Sequence, residues 1–158
     1  MGKAISTLGM GLRYAVETTA GTRPTTGYIN IPDIKEIPDF NPEPGAIETT
    51  DLSQTEFKTY TKGLKDLGGA LAFLANDTVE LQAAWEALMT AYEAADADGK
   101  AVWFEIFHPK LENSTYFTGE PSELGLGGAQ VDSALETNCY VTPTNGPKRH
   151  AKSTVAAG

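Results

Sequence analysis

Few side chains in this sequence are able to do covalent or metal chemistry. Cys139 is the one thiol, and His108 and His150 are the two imidazoles. A cysteine beside a histidine would suit nucleophilic catalysis, because the imidazole draws off the thiol proton. Cys139 and His108 are the only pair to consider, since His150 falls in a basic terminal segment. Cys139, however, alternates with Leu135, Thr137 and Val141 on one face of a strand-like run, which reads as a buried structural thiol. One His, one Cys and scattered carboxylates give no zinc-like spacing. Asp96-Ala97-Asp98-Gly99 opens like a calcium loop but lacks the later ligands and the closing glutamate, and it reads as a helix end. Gly9-Met10-Gly11 and Gly125-Leu126-Gly127-Gly128 have neither a Walker lysine nor dinucleotide-binding spacing. The sequence predicts no enzyme, no metal and no cofactor.

A chain of 158 residues with 41% hydrophobic content suits one ordinary domain with a real core. No run of 18 apolar residues occurs, so no membrane-spanning helix is expected. Glycines interrupt the apolar start, which argues against a signal peptide. A lone cysteine allows no intrachain disulfide, and together these features predict folding in a reducing cytoplasm. The net charge of −9 is unevenly spread. All 21 acidic residues lie between Glu17 and Glu136, with seven basic ones, so this body carries −14. Lys3, Arg13, Lys148, Arg149 and Lys152 supply the remaining positive charge at the two ends. Such a body repels polyphosphate and offers no counterion-release binding to nucleic acid. Acidity of this kind also serves plain solubility.

The elements that would position any site are mostly strands. Leu12–Val16 and Tyr28–Ile31 read as strands, and Ile34–Phe40 as an extended stretch held at an edge by Pro32 and Pro38. Gly69–Ala75 reads as a buried strand. A helix then opens at Asp77, with Glu80 three residues on as an acidic capping box, and stops at Gly99. Leu81, Trp85, Leu88 and Tyr92 recur at helical spacing and form its core stripe, the alternative being a contact with a partner subunit. Ala101–Phe107 has apolar residues on both faces, which predicts a strand covered on both sides. Strands near Ser114–Thr118 and Leu135–Val141 follow, with a glycine-rich connector between them. Residues 1–147 make the domain, and 148–158 read as a flexible basic tail.

Between two of these strands lies AIETTDLSQTEFKTYTKGLKD, residues 46–66. Ala46–Thr50 reads as a short strand, and Asp51–Asp66 as a loop of a length that is usually functional or disordered. Its candidate contact residues are Asp51, Phe57, Lys58, Tyr60, Lys62, Gly63 and Asp66. Aromatic side chains among mixed charges suit a protein contact.

With GLRYAVETTAGTRP, YINIPDIKEIPDF, VWFEIFHP and TNCYVTPTNGP, this segment makes a succession that resembles the major tail (tail tube) proteins of long-tailed, siphovirus-type bacteriophages. The likeness runs from about Gly9 to Gly146. It implies a mainly β protein with one helix, a β-sandwich or partial barrel, built into hexameric rings that stack head to tail. In that architecture four strands per subunit join a continuous lumen barrel of roughly twenty-four strands, about 115 Å around, wide enough for a channel. The 51–66 loop would reach the neighbouring ring, and DNA would pass through the lumen unheld. Tape-measure, tail terminator and distal tail proteins are the implied partners, and the virion the implied location. A tube subunit of a related bacterial secretion or contractile system shares the fold and stays open as an alternative, as does a monomeric ligand-binding β-barrel.

Overall fold

The computed structural model describes residues 3–53, 55–65 and 67–155; of residues 154 and 155 only the backbone is described. It is mainly β with one helix. Ten strands run in the order β1 (Gly11–Val16), β2 (Thr26–Ile31), β3 (Ile34–Glu36), β4 (Pro44–Glu48), β5 (Tyr60–Lys65), β6 (Leu71–Asn76), β7 (Val102–Phe107), β8 (Asn113–Pro121), β9 (Glu136–Ala151) and β10 (Thr154–Val155). The helix α1 (Val79–Ala97) falls between β6 and β7. Eight strands form one curled sheet in the order β10-β2-β1-β7-β8-β9-β6-β3, while β4 and β5 pair only with each other. The expected sandwich or partial barrel is thus a half-barrel sheet, with the helix as its second layer.

Alternation assigns the faces. Leu12, Tyr14, Phe73, Val102, Phe104, Phe117, Cys139 and Val141 meet Leu81, Trp85, Leu88 and Ala95 of the helix in the main core. The other face of β1, β7 and β8 buries a smaller group, Ala15, Tyr28, Trp103 and Tyr116. The central strand β7 is therefore covered on both sides, as its two-faced composition predicts.

Two termini of α1 explain its length. Thr78, not Asp77, is the N-cap: its hydroxyl accepts from the Leu81 amide at 3.1 Å and donates to Asp33. Asp77 instead accepts from the Gln82 side chain at 2.8 Å. The acidic residues of the two candidate caps are adjacent, and the extended backbone of Thr78 decides between them. At the far end Gly99 takes φ +70°, and the Lys100 and Gly99 amides bond the Ala95 and Asp96 carbonyls. That closure is a Schellman stop, and it accounts for Asp96-Ala97-Asp98-Gly99.

Three expectations are corrected. The extended stretch after Pro32 gives only the three-residue β3 before irregular chain resumes. Residues 60–65, expected as loop, are the strand β5. Residues 148–151, expected as a flexible tail, continue β9, pairing Tyr116 with Lys148 and Asn113 with Ala151. Pro147 does not end this strand because it lies in a register shift opposite Tyr116–Thr118, where no ladder donor is needed. Thr154 and Val155 then add a short parallel pairing to β2.

Candidate functional site: an exposed hairpin and a groove beside the helix

The hairpin β4–β5 stands outside the main sheet. Its register runs from Pro44 opposite Lys65 to Glu48 opposite Tyr60. Threonines then close the neck of the tip. The Thr49 amide donates to the Thr59 carbonyl at 2.7 Å, and the Thr59 amide to the Thr50 hydroxyl at 2.8 Å. Within the tip, Asp51 accepts from the Ser53 amide at 2.9 Å, a local turn that a short acidic side chain makes well.

What distinguishes this ribbon is its surface. Every described residue of β4 is exposed, and in β5 only Gly63 is half-buried. Ile47, Leu52, Phe57, Tyr60 and Leu64 are all exposed, Leu64 at 94% and Phe57 at 78%. Among the sequence candidates, Asp51, Phe57 and Lys58 lie in the tip, and Tyr60, Lys62 and Gly63 lie on β5. Asp66 lies outside the described residues. Ile47, Leu52 and Leu64 join the set from the structure; their apolar character in a polar segment was the available signal. Large apolar side chains gathered on one protruding element mark an interaction surface.

The core stripe is placed as expected. Leu81, Trp85 and Leu88 are buried, Tyr92 is half-buried against the same cluster, and the Trp85 indole donates to the Ser122 carbonyl at 2.7 Å. Beside this stripe lies a groove of about 720 Å³ between α1 and residues 123–126. Trp85, Met89, Leu124 and Leu126 give it apolar surface, and Asp77, Glu86, Glu93 and Glu123 line it with carboxylates. Sequence reading placed Glu86 and Glu93 on the polar face of the helix but had no way to bring residues 123–126 against them.

The structure does not join the candidate nucleophile to its base. Cys139 pairs with Phe73 in the main core, and burial, with Asp77 nearby, pushes its thiol up to about 11. His108 follows β7, where its Nδ1 accepts from the Lys110 amide at 3.0 Å and its Nε2 bonds the Ser6 carbonyl. It anchors the N-terminal arm.

A second group of buried polar residues was not foreseen. Glu105 is wholly buried on the smaller face. It meets Arg13 at 3.4 Å and accepts from the Tyr116 hydroxyl at 3.0 Å and the Ser153 amide at 3.1 Å. Burial alone would raise its pKa, but the hydrogen bonds led by those of Ser153 prevail and hold it below the usual carboxylate range. Tyr116 is pushed up to about 12 by burial and by the Glu105 charge. Glu17 accepts from the Trp103 indole and the Ala101 amide, each at 2.8 Å, and ties the loop after β1 to β7. These groups hold the termini and loops to the sheet; none faces the hairpin or the groove.

Among the described residues no cluster of three or more His, Cys, Asp or Glu side chains is arranged to hold a metal ion, and no helix is long and apolar enough to cross a membrane. No protein-family model matches the sequence, and no curated protein matches it. In structure the chain is similar to a chain of the anti-feeding prophage baseplate, solved by cryo-EM with 6-fold symmetrisation, with a TM-score of 0.60 over 96% of this chain and 98% of that one. Sequence identity is 7%, so what the two share is the fold: the half-barrel sheet with its single helix is the fold of a prophage baseplate component.

Proposed function

We propose that the protein is a structural, non-enzymatic subunit of a phage tail, polymerising as stacked hexameric rings into the tube through which DNA leaves. The observation that carries this reading is the hairpin β4–β5, which exposes five large apolar side chains on a ribbon outside the core. A monomer gains nothing from that surface, whereas a stacked ring covers it against the next one. The fold shared with a chain of a six-fold prophage assembly supports ring formation. Asp51, Phe57, Lys58, Tyr60, Lys62 and Gly63 make the inter-ring contact, with Ile47, Leu52 and Leu64. The acidic body leaves duplex DNA centred and free to slide. The partners are further copies of the chain, with tape-measure, terminator and distal tail proteins at the ends.

The neighbour comes from a baseplate, which favours one second reading: a ring subunit of a related contractile or secretion system that closes without extending. Negative-stain imaging of purified, concentrated protein separates the two. Tubes are the expected result, isolated six-fold rings would favour the second reading, and a strict monomer would overturn both.

A further inference from the structure

The strand β9 carries opposite charges at its two ends. At its start, the Thr137 hydroxyl donates to the Gly125 carbonyl at 3.0 Å, which fixes the loop that forms one wall of the acidic groove. At its end lie Lys148 and Arg149, both exposed, in a stretch from Thr137 onward that contains no acidic residue. Twelve residues of strand separate Thr137 from Arg149, about 40 Å at strand rise, so the groove and the basic end never meet within one protomer.

Neither end is neutralised internally. Among the described residues, the ion pairs are Arg13–Glu105 and Lys35–Glu136, so the groove carboxylates and the two cations are left for another molecule. The basic end is also shaped to enter a groove. Beyond Val141, β9 pairs with β8 alone, so one edge of this stretch is open. Its inside-outside alternation stops after Pro143, and Lys148, Arg149 and His150 are exposed in succession. Successive strand residues point to opposite sides. Entering edge-on, Lys148 and Arg149 face the two walls, Glu86 and Glu93 on the helix and Glu123 on the loop.

We infer that the groove of Trp85, Glu86, Met89, Glu93, Glu123 and Leu126 receives the Lys148–Arg149 end of β9 from a second copy of this chain. The contact is heterologous, since the two surfaces differ, so it repeats around a ring or along a stack. It rests on the self-assembly proposed above and adds the surface that orients one copy against the next. The hairpin lysines are a poorer occupant, because Glu48, Asp51 and Glu56 lie among them.

Reciprocal charge exchange tests this. Glu86→Lys with Glu93→Lys, and separately Lys148→Glu with Arg149→Glu, alter exposed side chains and leave the monomer's thermal unfolding unchanged. Each pair is expected to lower the sedimentable assembly about tenfold or more, since like charges then face each other. Mixing the two variants, or combining all four changes in one chain, restores it. A wild type that never assembles overturns the tail-subunit reading itself. If wild type assembles and the variants assemble equally well, or if loss is rescued by Lys58→Glu with Lys62→Glu rather than by the β9 exchange, this inference fails and that reading stands.

Discussion

The strands β5 and β7 are both six residues long, yet they meet opposite surroundings. In β7 no residue is exposed, and its side chains fill two cores at once. In β5 five of six residues are exposed, including Leu64. Both are real strands with full ladders, so pairing alone does not decide burial. The main sheet spends its apolar residues on its own stability. The hairpin leaves comparable residues in water, which costs the monomer their burial and makes sense only where a partner supplies it. The comparison separates a folding half from an assembling half, and substitutions in each should give different signatures.

The largest effect is expected in the core. Trp85 is 2% exposed, fills the space between helix and sheet, and holds the Ser122 carbonyl. Trp85→Ala should lower monomer stability by about 3–5 kcal/mol, measured by urea unfolding. Lost polymerisation with unchanged stability would move Trp85 to an interface and break the division just drawn.

Next comes the smaller face. Glu105→Gln removes the charge facing the buried Arg13 and weakens the hold on Ser153, at a cost of about 1–3 kcal/mol. The sign of its pH dependence follows from the lowered folded pKa. A carboxyl depressed by folding adds stability above its unfolded pKa of about 4.3, and that stability is lost as pH falls from there through the folded value. Wild type should therefore lose stability below about pH 4.3 more steeply than Glu105→Gln. Parallel acid curves for the two proteins would show that Glu105 is not the group concerned.

The helix cap gives a smaller effect. Thr78→Ala should cost about 1 kcal/mol, whereas Asp77→Ala, outside the capping bond, should cost less. The reverse order by thermal unfolding would restore Asp77 as the cap.

Legibility in the sequence followed burial. Thr137, Cys139 and Val141 alternate because one side of β9 faces the core, and Leu81, Trp85 and Leu88 recur because one stripe of α1 does. Water on both faces erases that signal. Tyr60–Lys65 has strand geometry without a buried face, and Lys148–Ala151 extends β9 beyond the core, so both read as loop or tail. The hairpin was located as a contact segment from its aromatics, but its strand was not. The groove stayed hidden for a different reason: it joins residues 77–93 to 123–126, and no local pattern encodes that meeting. Glu105 was hidden as a lone acid among apolar neighbours, since its partners come from β1, β8 and the chain after β9.

The smallest effect on stability is expected where the effect on assembly is greatest. Phe57 and Leu64 are exposed and contribute little to the monomer's core, so Phe57→Ser with Leu64→Ser should change unfolding by no more than about 0.5 kcal/mol. The same pair removes much of the hairpin's apolar surface, including one residue of the tip and one of β5. If stacked rings bury that surface, the double variant should remain folded and shorten or abolish tubes, seen side by side in a thermal melt and in negative-stain images. A folded variant with tubes of normal length would show that the hairpin's apolar side chains are not what the next ring covers. A variant that unfolds would instead place the hairpin with the folding half and remove the contrast between β5 and β7. Substituting Lys58→Ala and Lys62→Ala alone then sharpens the result. Exposed charges at an interface act mainly on association rate and salt dependence. These changes should therefore slow tube growth at low salt while leaving final tube length close to wild type.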